Sequence, residues 1–200
     1  GGPTGEQLAK LLREAGVGHQ VLAIRDWTRE SFNIVIEQSG EQYRFVMPGA
    51  RLSDDEQQQL LERLMAIPSL DYLVISGSLP DGVDAGFISQ LASAANSRHA
   101  AVILDSSGPA LRQAVEAGGL TLIKPYINEL AALAGRDIND HQQLVDISRQ
   151  LIAAGKSEAV VVSLGPQGAL LVTADEEARI VPPTVKRQST VGAGDSMVAA

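Results

Sequence analysis

Ala101-Val102-Ile103-Leu104-Asp105-Ser106-Ser107-Gly108 is the stretch that decides the fold. Four apolar residues run into an acidic residue and a Ser-Ser-Gly turn. That run is too short for a helix and suits a strand buried on both faces. The pattern recurs on either side, at Leu70 to Ile75, Leu120 to Ile123 and Ala159 to Leu164, the last being the most β-branched run in the chain. Helical spacing fills the gaps. Asp84 precedes Phe87, Ile88, Leu91 and Ala95, and further helices are expected around Leu111 to Ala117, Asn128 to Ala134 and His141 to Ala154. Repeated apolar strand and amphipathic helix predict an α/β fold of Rossmann type, a mostly parallel sheet with helices on both faces.

Further out the pattern changes. After Gly165-Pro166-Gln167-Gly168, Ala169 to Thr173 reads as a hairpin partner, Asp175-Glu176-Glu177 as a turn or solvated loop, and Arg179-Ile180-Val181 as a lead into Pro182-Pro183. Toward the start, Thr4 and Gln7 have capping-box spacing ahead of Leu8, Leu11, Leu12 and Ala15, which predicts a helix ending at Gly16. Val21 to Ile24 suits a short buried strand. Phe32, Ile34 and Ile36 alternate with other residues, and a second run follows from Gln42 to Met47, so a β-hairpin is expected there. Pro48-Gly49 ends it, and Ser53 with Glu56 forms a second capping box before Leu60, Leu61, Leu64 and Met65. The organisation expected is a core of residues 1–24 and 50–200 with a β-hairpin lid at 25–49.

Composition narrows the functions. Of 200 residues, 44% are hydrophobic and 20% charged, as in ordinary globular proteins, so disorder is not the default. Acidic residues outnumber basic ones by 24 to 16, a formal charge of −8, which gives no general field to attract nucleic acid or an anionic membrane. No run approaches the roughly eighteen apolar residues of a membrane span. The absence of cysteine excludes disulfides, thiolate metal sites and thiol nucleophiles, and a cytoplasmic location is the expectation. His19, His99 and His141 have no ligand spacing and are given no role.

Gly192-Ala193-Gly194-Asp195, directly before the apolar start Met197-Val198-Ala199-Ala200, carries the strongest chemical signal. Small residues let a ligand approach the backbone, and the amides opening a helix suit phosphoryl oxygens. Asp195 then either accepts a proton from an attacking hydroxyl or merely caps the helix. Asp105, at the carboxyl end of a strand, either supports a metal ion from beyond its direct ligands or caps the Ser106-Ser107-Gly108 loop. No Gly-x-x-x-x-Gly-Lys-Ser/Thr and no Gly-x-Gly-x-x-Gly at a first strand is present, which argues against P-loop kinases and dinucleotide-dependent dehydrogenases.

Three segments taken together resemble the ribokinase-like carbohydrate kinases: Gln188 to Met197, Val162-Ser163-Leu164-Gly165-Pro166-Gln167-Gly168-Ala169 and Ile75-Ser76-Gly77-Ser78-Leu79-Pro80. Gly40 to Gly49 and Asp26-Trp27-Thr28-Arg29 are similar to the branch that contains the minor bacterial 6-phosphofructokinases. The resemblance implies a ribokinase-like fold with a β lid, and an ATP-dependent sugar-phosphate kinase that converts fructose 6-phosphate to fructose 1,6-bisphosphate. A 1-phosphofructokinase or tagatose-6-phosphate kinase, or an inactive or regulatory nucleotide-binding relative, are the alternatives. It also implies roles: Asp195 as base, Gly192, Ala193 and Gly194 as anion hole, Ser163, Gly165 and Gly168 beside ATP, and Lys124 by its phosphates. Glu129 would organise Mg²⁺ through water, Arg29 and Ser78 would hold the sugar phosphate, and the lid would pair two subunits into a homodimer.

Two departures stand out. The family has Lys-Pro-Asn, whereas this chain reads Lys124-Pro125-Tyr126 with Asn128 and Glu129 following. The family's glycine-rich sugar-site segment and its adenine-pocket segment have no counterpart in the sequence. The expectation is therefore a fragment whose 200 residues alone transfer little or no phosphoryl group.

Overall fold

The alternation of apolar runs and amphipathic turns is realised in a computed structural model that describes residues 1–39, 41–183 and 192–199. The chain divides into two compact units, Gly1–Arg63 with Leu79–Val83, and Leu64–Ser78 with the described residues from Asp84 onward.

In the first unit, α1 (Gly2–Glu14) begins three residues earlier than the Thr4 capping box predicts. The Thr4 hydroxyl donates to Glu30 Oε1 at 2.6 Å instead. The strand expected at Val21 to Ile24 does not form. A strand exists only through ladder hydrogen bonds to a neighbour, and among the described residues this run has none. β1 (Ser31–Val35) and β2 (Gln42–Val46) make the expected antiparallel hairpin, a two-stranded sheet of its own. Phe32 lies opposite Phe45, their rings stacked 5.1 Å apart, while every residue of both strands is exposed.

α2 (Asp54–Met65) opens with the capping box read from Ser53 and Glu56. Ser53 N–H and Oγ donate to Glu56 Oε2 at 2.7 and 2.9 Å, and Arg25 N–H donates to Oε1 at 2.7 Å. These donors, the Ser53 amide first, hold the Glu56 carboxyl below its ordinary value of 4.5. A lowered folded-state value means that the charged form stabilises the fold above about pH 4.5 and that this contribution fades as pH falls through the lowered value. A carboxyl carbon NMR titration should place the Glu56 midpoint below 4.5, and Ser53→Ala should raise it. A midpoint at or above 4.5 in the unaltered protein would contradict the assignment, whereas Ser53→Ala keeps the amide and removes only the smaller share that comes from the hydroxyl.

In the second unit, β3 (Tyr72–Ser76), α3 (Gly86–Asn96), β4 (Ala101–Asp105), α4 (Gly108–Ala117), β5 (Leu120–Ile123), α5 (Ile127–Ala134), α6 (His141–Ala153) and β6 (Ser157–Ser163) follow in the predicted alternation. The strands stand side by side in chain order, β3 to β6 all parallel. β7 (Ala169–Val172) and β8 (Glu177–Ile180) extend the sheet antiparallel. β8 occupies part of what the sequence suggested was a turn or loop. Its 4-residue ladder to β7 supplies hydrogen bonds that local composition does not reveal.

Right-handed crossovers that all advance in one direction place their helices on one face. The row Ile75, Leu104, Ile123, Val160 and Val172 crosses five strands on that face, and its last four members are completely buried. α3 packs on β3 and β4, and α6 on β6 and β7. Ile88, Leu111, Leu130, Val145 and Ile147 complete this core, each such side chain contributing about 1.5–3 kcal/mol on burial. α7 (Ala193–Ala199) lies at the other face, where Asp195 meets Ser76 and Met197 meets Ser163. The expected α/β architecture, a mostly parallel sheet with helices on both faces, is thus present. The Arg98 guanidinium donates to the Leu64, Met65, Ile67 and Pro68 carbonyls and closes the end of α2 within this unit.

Candidate active site

Parallel strands bring their carboxyl ends to one edge, where backbone groups are left without ladder partners and loops diverge. Ser76 ends β3, Asp105 ends β4, Lys124 follows β5 and Ser163 ends β6. Two loop contacts pull β3 and β4 together beyond the ladder. Gly77 N–H donates to the Asp105 carbonyl at 2.8 Å, and the buried Ser106 hydroxyl donates to the Gly77 carbonyl at 2.9 Å.

Lys124 is 2% exposed, and its ammonium sits 3.0 Å from Asp105 Oδ1. A buried cation is tolerated only with such a partner. The Tyr126 ring lies across the same ammonium, 5.2 Å from nitrogen to ring centre. Asp105 therefore acts as the counter-ion of Lys124, a role that neither of its sequence readings contained.

α7 brings the Gly-Ala-Gly-Asp motif to this edge. Gly192 adopts φ +78, which permits the turn into the helix, and Ser196 N–H donates back to its carbonyl at 2.9 Å. The amides of the first helical turn, Ala193 to Asp195, have no partner within the helix. Asp195 is exposed and accepts from the Ser76 hydroxyl at 3.3 Å. Its carboxylate is turned to solvent rather than into the core. A Cβ built on Gly194 would lie 3.5 Å from Lys124 Nζ and 3.9 Å from both Asp105 Oδ2 and Tyr126 Oη. The motif thus stands directly against the buried ion pair.

Of the other residues singled out by sequence, Ser78, Glu129, Ser163, Gly165 and Gly168 belong to the second unit. Ser163 is buried, with its hydroxyl 3.5 Å from Met197 Sδ. Gly165 opens a 3₁₀ turn (Gly165–Gln167), and Gly168 closes it with φ +92. A Cβ at Gly168 would run into the Ile180 carbonyl oxygen, so the close pass of β8 demands glycine there. Glu129 accepts from Tyr126 N–H at 2.8 Å, which caps α5 and ties it to the cluster through Tyr126. With Asn128 it lines a cavity of about 670 Å³ between α4 and α5. Ser78 is exposed beyond β3, and Arg29 is exposed in the first unit. Gln188 to Val191, part of the motif, lie outside the described residues.

Ser76 and Tyr126 also stand at this cluster, although the sequence reading assigned neither of them a role. The signal for Ser76 was its place at the end of a parallel strand, the same signal that marked Asp105. Among the described residues no three of His, Asp and Glu converge as a metal cage. Asp105 and Glu129 offer single carboxylates, a donor set that suits Mg²⁺, a hard cation that keeps much of its coordination in water and phosphate oxygens.

The sequence pattern of the pfkB family carbohydrate kinases matches residues 1–200. The chain is 48% identical over 200 residues to ATP-dependent 6-phosphofructokinase isozyme 2 of Escherichia coli (strain K12), spanning all of this chain and 65% of that protein. It is 40% identical over 201 residues to the protein of the same name from Mycobacterium tuberculosis (strain CDC 1551 / Oshkosh), of which it spans 59%. The crystal structure of phosphofructokinase-2 from Escherichia coli in complex with fructose-6-phosphate superposes with a TM-score of 0.94 at 47% identity, over all of this chain and 65% of that one. No helix among the described residues is long and apolar enough to cross a membrane. With its motifs, its sheet and its whole length in agreement, the chain belongs to the pfkB family of carbohydrate kinases.

Proposed function

We propose that this protein is an ATP-dependent sugar-phosphate kinase that phosphorylates fructose 6-phosphate on its free primary hydroxyl, a cytoplasmic step of glycolysis. The observation that carries the reading is the solvent-facing carboxylate of Asp195 at the head of α7, beside the buried Lys124–Asp105 pair. Asp195 takes the proton of the attacking hydroxyl while the sugar oxygen bonds to the γ-phosphorus and the bond from that phosphorus to the ADP oxygen breaks. The amides at Ala193 and Gly194, with Gly192 giving the turn, and the Lys124 ammonium hold the charge on the transferring group. Mg²⁺ held through water by Glu129, with Asp105 in support, would neutralise phosphate charge. Ser76 orients Asp195, and Ser163, Gly165 and Gly168 form the wall beside the nucleotide. Arg29 suits the sugar phosphate because a planar guanidinium matches a phosphate fork, and Ser78 adds a hydroxyl.

The hairpin Phe32 to Met47 serves as a lid and pairs two subunits. Exposed Phe32, Ile34, Tyr43, Phe45 and Val46 on both of its faces support this, since a two-stranded sheet is not stable unpartnered in water. A substrate panel on the full-length protein tests the acceptor. Fructose 6-phosphate should exceed fructose 1-phosphate and tagatose 6-phosphate in kcat/KM by about 10²-fold or more. Preference for either rival would overturn the acceptor, and no turnover with any of them would overturn the kinase reading.

A further inference from the structure

We infer that Tyr126 binds the transferring phosphoryl group through its hydroxyl, so that Lys124 and Tyr126 together grip one side of that group. The inference rests on the kinase reading above and extends it to a residue that the reading does not use.

Gly194 stands against the buried ion pair. Its φ is not positive, and a methyl there would meet only ordinary contacts, 3.5 Å from Lys124 Nζ and 3.9 Å from Asp105 Oδ2 and Tyr126 Oη. Neither backbone conformation nor packing among the described residues therefore requires glycine. What glycine leaves is a space about the size of one heavy group, rimmed by an ammonium, a carboxylate oxygen and a phenol. Residues at the ends of separate strands supply that rim, and apolar matter has no reason to fill it.

The rim offers an anionic oxygen two donors, and the Asp105 carboxylate beside them is already paired with Lys124. One Lys124 N–H serves Asp105 Oδ1 at 3.0 Å, which leaves two for another acceptor. The Tyr126 hydroxyl has no protein partner among the described residues and remains free to donate. Two donors facing one space, next to the residue that would take the sugar hydroxyl's proton, fit a phosphoryl oxygen.

Tyr126 is also held in place for the task. Its N–H is bound by Glu129 at 2.8 Å, its backbone bridges to Ser163, and its ring rests on the buried ammonium. The side chain is still 51% exposed, so a ligand can reach the hydroxyl. A fixed donor costs little ordering when the ligand arrives.

The test compares β,γ-imido-ATP with ADP, each with Mg²⁺, by calorimetry on the full-length protein and its Tyr126→Phe variant. Phenylalanine keeps the ring on Lys124 and removes only the hydroxyl. The expected result is about tenfold weaker binding of β,γ-imido-ATP, with ADP affinity changed less than twofold and the melting temperature unaltered. Equal weakening of both nucleotides, or weakening of neither, overturns the inference while leaving the kinase reading intact. Failure of the unaltered protein to bind either nucleotide overturns both.

Discussion

Asp195→Asn should lower kcat of the full-length protein by about 10²- to 10⁴-fold and leave its fold unchanged. Asparagine matches aspartate in shape, and its side-chain oxygen can still accept the 3.3 Å hydrogen bond from Ser76. Stability should therefore move little, because an exposed side chain making one long hydrogen bond contributes little to the fold. What is lost is the basic oxygen: an amide cannot take the proton of the attacking hydroxyl at neutral pH. Nucleotide binding should persist, since the Ala193 and Gly194 amides and Lys124 are untouched. Steady-state kinetics with fructose 6-phosphate, alongside a thermal melt, checks this. A variant with near-normal kcat would remove Asp195 as the base, and one that melts early would show the residue to be structural.

Gly168→Ala is expected to have the opposite signature, a loss of stability of about 3 kcal/mol or more. Gly168 has φ +92, a conformation that alanine adopts only under strain. The added methyl would also drive into the Ile180 carbonyl oxygen and sit 2.8 Å from Pro182 Cδ. Relief requires β8 to move off β7, which breaks a ladder joining Ala169 to Ile180. Gly165→Ala is the control. Its φ of +58 is in the ordinary left-handed region and nothing lies within 4 Å, so that change should cost only about 1–2 kcal/mol. Urea denaturation of both variants makes the comparison, and equal losses would show that the close pass of β8 is not what selects glycine at 168.

These predictions differ in how far sequence alone could have led to them. Asp195 was legible because Gly-Ala-Gly-Asp before an apolar helical start is a compact local pattern, and three such patterns together pointed to the family. Gly168 was legible only as part of one of those patterns. Its steric reason is a carbonyl 12 positions away in the chain, supplied by a strand that the sequence suggested was partly a loop. Val21 to Ile24 failed in the other direction: the run is apolar enough for a strand and has no neighbour to make it one.

The sequence by itself determined which segments of the second unit are strands and which are helices, β8 excepted, because apolar period and turn chemistry act over a few residues. It also determined the reactive inventory, an exposed carboxylate after small residues, a lysine and a second carboxylate after strands. Only the tertiary structure decided that these meet. Ser76 and Asp195 are 119 positions apart, and Lys124 finds Asp105 as its counter-ion rather than standing as a free cation. The physical reason is topological: parallel strands joined by crossovers of one hand align their carboxyl ends along a single edge, and no short-range pattern encodes which end lies beside which.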